Sequence, residues 1–239
     1  AFAPGAIQQG HFYIVDGPFG LLSLAALGAI LAALERGSWR WYAGAGLLIG
    51  ATAAVKLTGL LLGPVLLVAH LQREMALSEE PWPQRLGRGL LGRPLWLAGG
   101  LAALTLVALE PYLVVRPDLI FRARTFADFA ASAQIAAGDV LRPWTLVDVH
   151  SVAYLHHWTH LFPLVVGWPL TLAFLAGLVH AGWRRSPASL VALTWVGLYF
   201  GLIGGLHAKP VRYLVPLVPV LAWLAADLLA RLCHRRPKR

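Results

Sequence analysis

The sequence predicts an all-α polytopic membrane protein of about seven transmembrane helices, with an outer-face loop that carries an interfacial helix. Three observations support this fold class. Of the 239 residues, 58% are hydrophobic and 13% are charged, a composition that excludes an ordinary soluble domain. Apolar runs recur at close to the roughly 20 residues that a helix needs to cross a bilayer. Basic residues concentrate in the short segments between these runs, where they act as topology signals.

The apolar runs account for the predicted spans. They occupy residues 19–34, 41–71, 95–109, 161–181, 188–206 and 214–229. Basic residues flank the second run on both sides, at Arg36 and Arg40 and again over residues 73–93. Because both flanks are expected on the cytoplasmic side, this run must cross twice, as a hairpin that turns near Lys56. One long tilted helix is the alternative for this run.

The basic residues also predict the orientation of the chain. The C-terminal tail from Arg231 to Arg239 is rich in Lys and Arg and is therefore expected in the cytoplasm. Counting back through the spans places residues 209–212 and the loop of residues 112–160 outside, with Arg184 and Arg185 inside. The chain is thus predicted to be integral to the cytoplasmic membrane, and its net charge of +9 adds a weak attraction to anionic membrane lipid.

The long outside loop contains one predicted helix. Asp118 can cap its start, and Gly138 marks its end. Phe121, Thr125 and Phe129 share one face, a pattern that fits a helix lying on the outer leaflet. A packed loop helix of ordinary amphipathicity fits the pattern equally well.

Several other chemistries find no support in the sequence. Cys233 is the only cysteine, which excludes an intrachain disulfide and a cysteine-based metal site. His156 and His160 lie one helical turn apart, but the neighbouring aromatic residues indicate a membrane interface rather than a metal centre. No basic stripe with interleaved aromatics occurs, so nucleic acid is not an expected partner. No metal and no cofactor are predicted.

The stretch of residues 209–219, KPVRYLVPLVP, carries the predicted anion-binding site. Two cations, Lys209 and Arg212, and Tyr213 open an otherwise apolar run. Pro210 suits the first turn of a helix, so a helix is predicted to start there with its positive N-terminal end beside the two cations. Such an arrangement favours an anionic ligand.

Two further ionisable residues are candidates for the same site. Lys56 interrupts an apolar hairpin. An ionisable group at membrane depth indicates a functional role, because burying it is costly. The alternative is that Lys56 snorkels, with its apolar stem in lipid and its ammonium at the membrane surface. Asp16 has two interpretations: a helix N-cap, or a residue that faces a site at the outer mouth together with His11.

These residues carry a resemblance to the GT-C superfamily of membrane glycosyltransferases, in particular to bacterial relatives of protein O-mannosyltransferases and lipid A aminoarabinose transferases. The similar segments occur in the family's order across nearly the whole chain. They are residues 11–16 (HFYIVD), 50–59 (GATAAVKLTG), 110–112 (EPY), 166–170 (VGWPL) and 209–219 (KPVRYLVPLVP), the last resembling the family's Arg-Tyr-Pro signature.

The resemblance implies a function and assigns roles to these residues. Members of the family move a sugar from a polyprenyl phosphate or pyrophosphate carrier to a hydroxyl acceptor on the extracytoplasmic side. Lys56, Lys209, Arg212, Tyr213 and His11 would then bind substrate. The acceptor is a protein, lipid or glycan hydroxyl.

The resemblance also leaves one catalytic part unassigned. The family's usual acidic base lies in the first outside loop after the first span, and residues 1–239 are expected to be the C-terminal part of a single transmembrane domain without that span and loop. Asp16 matches a second acidic position, expected to contact sugar or acceptor, and would be the base only in a chain complete as given.

Two other functional classes are alternatives to the transferase. A transporter or channel for an anionic substrate would use the same cations to line a path, but the cations cluster at the outer mouth and no internal repeat of spans is visible. A His-ligated haem protein would need pairs of histidines in facing spans, whereas His70 and His180 both fall at the inner ends of theirs.

Overall fold

The computed structural model describes residues 15–77, 81–120 and 123–234, and the described residues form helices and connecting turns without a strand. His11 and the basic residues beyond position 234 lie outside the described residues. The predicted all-α class is confirmed for the described part of the chain.

Most of the helices follow one another with short connections, and the longest connection spans residues 138–161. In chain order they are α1 (Asp16–Arg36), α2 (Trp39–Val55), α3 (Leu62–Leu77), α4 (Trp82–Leu90), α5 (Arg93–Leu109), α6 (Tyr112–Val115), α7 (Pro117–Ile120), α8 (Ala123–Ala137), α9 (Phe162–Val166), α10 (Trp168–Arg184), α11 (Pro187–Gly204) and α12 (Val218–His234). Three 3-10 turns, Leu57–Leu61, Pro143–Asp148 and Val211–Leu214, and one π turn, His157–Leu161, join them.

The chain reverses direction at Lys56, as the sequence predicts. Lys56 has extended backbone dihedrals that end α2 and precede the 3-10 turn Leu57–Leu61. Tyr42, near the start of α2, lies 2.6 Å from His70 near the end of α3, measured from Oη to Nδ1. Arg73 of α3 donates to the carbonyl of Leu34 at the end of α1. The two limbs are therefore antiparallel, and one long tilted helix over residues 41–71 is wrong.

Helices α2 and α5 pack through small residues. Gly46 faces the backbone of Ala98, and Gly50 faces Ala102, so the two helices run in the same direction. A Cβ atom at either glycine would collide with those backbone atoms. Glycine at this four-residue spacing lets two helix backbones approach closely, which is a common packing mode of membrane helices.

A second set of contacts joins the later helices to α1. Gly177 of α10 packs against the backbone of Leu224 and Ala225 in α12. The ring of Phe19 in α1 lies 5.8 Å from that of Tyr199 in α11, measured between centroids. These contacts bring the start of α1 close to the segment that precedes α12.

Three of the described helical segments are long and apolar enough to cross a membrane. They are Asp16–Arg36, Leu57–Leu77 and Pro187–Gly204. Arg93–Leu109 is apolar but shorter. The structure therefore supports three spans. Seven crossings and the orientation of the chain stay predictions.

The predicted helix start at Pro210 is wrong. Pro210 is followed by a 3-10 turn of four residues, Val211–Leu214, and α12 begins only at Val218. Pro216 has no backbone N–H and its ring would clash with the preceding turn of a continuous helix. Pro219, by contrast, falls in the first turn of α12, where a missing N–H costs nothing. The cations therefore precede α12, and its N-terminus begins six residues after Arg212.

The loop of residues 112–160, which is predicted to lie outside, contains a helix close to the predicted position. Helices α7 and α8 cover Pro117–Ile120 and Ala123–Ala137, and Gly138 follows with a φ of 93°. The side chains of residues 119–129 lie outside the described part, so the predicted lipid-facing surface of this helix stays a prediction.

The glycine contacts generate a stability test. We expect Gly46→Ala and Gly50→Ala each to lower the free energy of unfolding by about 1–3 kcal/mol, because the added methyl group meets rigid backbone. Gly44→Ala and Gly100→Ala are the matched controls, since nothing lies within 4 Å of a Cβ atom at either position. Thermal unfolding in detergent would measure the difference, and equal midpoints for all four variants would contradict this packing.

Candidate functional site

A buried carboxylate lies at the point where three segments meet. Asp16 is the first residue of α1 and is 3% exposed. Its Oδ1 accepts a hydrogen bond from Lys56 Nζ at 2.9 Å, and its Oδ2 lies 3.6 Å from Arg212 Nε. Its side chain makes no capping hydrogen bond, so the N-cap interpretation of Asp16 is wrong. The carboxylate instead joins the start of α1, the turn after α2 and the turn before α12.

Aromatic rings complete the surroundings of Lys56. Its ammonium nitrogen lies 4.4 Å from the ring centroid of Tyr213 and 5.6 Å from that of Phe19. An ammonium over an aromatic face is attracted by the electron-rich ring. Lys56 is therefore held by one carboxylate and two rings, and this contact orders its head group near membrane depth.

The charges of this group do not cancel. One carboxylate, Asp16, faces two cations, and the side chain of Arg212 remains about half exposed. Asp16 thus positions Arg212 through its Nε and leaves much of the guanidinium accessible. A guanidinium presents several donors in a plane and can engage two oxygens of a phosphate at once.

Lys209 is held by a separate set of contacts. It is 5% exposed, and its Nζ donates to Ser151 Oγ at 2.8 Å and to the carbonyl of His207 at 3.0 Å. Its backbone N–H donates to Asp148 Oδ2 at 3.0 Å. Burial lowers the pKa of Lys209 from its ordinary value, and nearby Asp148 opposes that shift. A buried ammonium held by neutral oxygens attracts an anion strongly, because little water screens it.

A cavity of about 520 Å³ opens beside these cations. Such a volume falls in the usual range for a small-molecule site. The polar and charged side chains that line it come from the outside loop and the turn before α12: Ser132, Thr145, Asp148, His156, Lys209, Arg212 and Tyr213. Apolar walls come from residues that include Ile135, Trp144, Val147 and Leu161.

Two histidines near the cavity have lowered pKa values. His156 and His160 stack at a centroid distance of 4.6 Å, and His157 is buried against Phe200. Burial lowers the pKa of His156, and burial together with Lys209 lowers that of His157 to about 4. Within the described residues no group of three or more His, Cys, Asp or Glu could hold a metal ion.

The structure brings most of the predicted site residues together. Lys56 and Arg212 share the carboxylate of Asp16, and Tyr213 stacks on Lys56. Lys209, Arg212 and Tyr213 line the same cavity, whereas Asp16 and Lys56 are not part of its lining. The roles assigned to these residues remain predictions, and that of His11 falls on an undescribed residue.

Three contributors were not predicted from the sequence. Asp148 and Ser151 fix Lys209, and Trp144 forms part of the cavity wall. These residues lie in an irregular loop, where no periodic pattern reveals which side chains point inward. A carboxylate so near three histidines was the one available signal.

The fold and site define an all-helical protein with membrane-length spans and a cationic cavity at one end of its helices. No protein-family model and no curated protein matches the chain. Its structure is similar to the crystal structure of the Archaeoglobus fulgidus oligosaccharyltransferase in the apo form, with 17% sequence identity and a TM-score of 0.48. The similarity covers 93% of this chain and 34% of the other, so this chain spans about a third of that protein's length. No residue role is transferred from this similarity.

The buried imidazole of His157 predicts a dependence of stability on pH. Its pKa of about 4 in the folded protein lies below the ordinary 6.5, so the unfolded chain binds more protons between these values. The stabilising effect of keeping His157 neutral is therefore nearly fully present above pH 6.5. The free energy of unfolding decreases as the pH falls toward 4, and the loss is roughly 2 kcal/mol at pH 5. We expect His157→Gln to lose less stability than the wild type between pH 7.5 and pH 5.

Thermal unfolding in detergent at the two pH values would measure this effect. His160→Gln, at an exposed histidine in the same turn, is the matched control and should keep the wild-type dependence. An identical loss of stability for wild type and His157→Gln would show that His157 does not titrate in this window.

Proposed function

We propose that this chain is the membrane domain, or part of it, of an integral membrane glycosyltransferase. It would move a sugar from a polyprenyl phosphate or pyrophosphate carrier to a hydroxyl acceptor on the extracytoplasmic side. The observation that carries this proposal is the cavity whose wall contains Lys209, Arg212 and Tyr213. Arg212 pairs with the carboxylate of Asp16, and the ammonium of Lys209 donates to Ser151 and to the carbonyl of His207. The GT-C resemblance of the sequence supports the same assignment.

The proposed chemistry places negative charge where the cations lie. When the bond between the sugar and the phosphate oxygen breaks, its electron pair remains on the phosphate. The acceptor oxygen forms the new bond to the sugar, and its proton passes to water. Donors fixed in advance around the leaving phosphate stabilise this transition state more than the ground state. Arg212 would bind two phosphate oxygens, Lys209 would act as a point charge, and Tyr213 would donate one hydrogen bond.

Asp16 has a positioning role in this proposal. Its two oxygens are each engaged by a cation, Oδ1 by Lys56 and Oδ2 by Arg212. Asp16 would hold the guanidinium of Arg212 at the phosphate site, and Lys56 would hold Asp16.

Transport of an anionic substrate is the alternative use of the same cations. A transport site is expected near the middle of the spans, between broken helices. The cations in this chain instead gather at helix ends: Lys56 follows α2, Arg212 precedes α12, and their shared carboxylate, Asp16, begins α1. This placement favours a reaction at the membrane surface.

The cations provide the direct test. We expect Lys209→Ala and Arg212→Ala each to lower the turnover of sugar transfer about 100-fold or more, the loss typical of one donor to a developing oxyanion. Arg212→Lys should recover only part of the activity, because it keeps the charge but not the two-point geometry. Purified protein in nanodiscs with a radiolabelled polyprenyl-phosphate sugar would measure transfer.

Two controls make this result interpretable. Arg185→Ala removes a cation at the opposite end of the helices and should transfer sugar at the wild-type rate. Thermal unfolding would confirm that each variant is folded. Wild-type transfer by both cavity variants would eliminate the assignment, and charge-dependent uptake of the sugar phosphate by proteoliposomes without transfer would favour transport.

A further inference from the structure

The 3-10 turn Pro143–Asp148 separates its side chains in an unusual way. Thr145 and Asp148 are polar and buried, at 1% and 7% exposure. Trp144, Leu146 and Val147 are apolar and exposed, at 70%, 55% and 81%. A water-facing turn places its polar residues outward, so this distribution is the reverse of what water favours.

The turn is rigidly held in this orientation. Thr145 Oγ1 donates to the carbonyl of Arg142 and accepts from its backbone N–H, both at 3.0 Å. Asp148 accepts the backbone N–H of Lys209 at 3.0 Å. The apolar side chains are therefore directed outward by fixed hydrogen bonds, and their exposure is a property of the folded turn.

The neighbouring contacts place the turn at the level where a candidate span ends. Six residues after the turn, the backbone N–H of Tyr154 donates to the carbonyl of Gly204, the last residue of α11. The hydroxyl of Tyr154 donates to the carbonyl of Gly201, one turn earlier. α11 is one of the helices long and apolar enough to cross a membrane. Tryptophan and tyrosine are enriched at this level of membrane proteins, where the bilayer meets water.

The same turn forms part of the cavity wall. Trp144 and Val147 line the cavity together with Lys209 and Arg212. An apolar, interface-level edge therefore lies next to two cations. This combination matches an amphiphile that carries a phosphate on a hydrocarbon chain: the chain would remain among lipid tails while the phosphate reaches the cations.

From this arrangement we infer that the turn Pro143–Asp148 inserts Trp144, Leu146 and Val147 into the outer leaflet and forms a lateral, lipid-facing entrance to the cavity. The inference rests on the proposed function for the identity of the incoming phosphate. It adds that the ligand enters from the bilayer, past this turn, and is a lipid-anchored phosphate rather than a water-soluble one.

Depth-dependent fluorescence quenching tests the insertion. In a Cys233→Ser background, which removes the only thiol of the sequence, single cysteines replace Trp144 or Val147 and carry a thiol-reactive NBD label. Two positions serve as controls: Leu202→Cys on the exposed face of α11 for lipid, and Arg116→Cys in an exposed ion pair with Asp118 for water. The protein is reconstituted in phosphatidylcholine vesicles with phosphatidylcholine spin-labelled near the top of its acyl chains.

We expect the labels at positions 144 and 147 to be quenched by the spin-labelled lipid at least twice as strongly as the label at position 116, and to resist aqueous iodide as the label at position 202 does. Quenching equal to that at position 116, with full access to iodide, would overturn the inference. Protection that develops only after an acceptor polypeptide is added would also overturn it, because the turn would then bind protein.

A second arm tests the entrance separately from the proposed reaction. Val147→Asp places a charge on the inserting edge and should reduce transfer from a long-chain polyprenyl-phosphate donor at least ten-fold more than transfer from a short-chain, water-soluble donor. Equal losses with both donors would contradict lateral entry. If the wild type transfers no sugar from either donor, the proposed function fails, while the quenching result still decides whether the turn inserts.

Discussion

The buried carboxylate of Asp16 is the interaction on which this end of the molecule depends. It is the only acidic group that contacts Lys56 and Arg212 among the described residues, and it joins segments separated by 40 positions and more along the chain. A buried carboxylate without partners would be strongly unfavourable, so the two cations and the fold around them stabilise one another. The tight approach of Gly20 to Val215, one turn below, brings α1 close enough to make these contacts.

Two cations line one cavity, and each is positioned by a separate set of contacts. Arg212 is positioned by Asp16, whereas Lys209 is positioned by Asp148, Ser151 and the carbonyl of His207. Because both head groups are fixed before any ligand arrives, little reorganisation is needed when an anion binds or when charge develops on it. The apolar wall beside them reduces the water that would otherwise screen that charge.

The sequence predicts those parts of this arrangement that depend on residues close together along the chain. The reversal at Lys56 follows from an ionisable residue within an apolar run flanked by cations, and the cationic character of residues 209–213 is evident by inspection. The pairing of Asp16 with Lys56 could not be predicted, because it depends on how three segments pack. Pro216 makes a continuous helix from Pro210 unfavourable, although Pro210 taken alone fits a helix start. The supports of Lys209 lie in an irregular loop that has no periodicity to interpret.

A double-mutant cycle between Asp16 and Lys56 tests this organisation most directly. The free energy of unfolding in nanodiscs would be measured for wild type, Asp16→Asn, Lys56→Met and the double variant. If the carboxylate and the ammonium stabilise each other, the losses of the two single variants add up to more than the loss of the double variant, by a coupling energy of about 1 kcal/mol or more. Strictly additive losses would show that Asp16 does not hold Lys56, and the site would lose its organising contact.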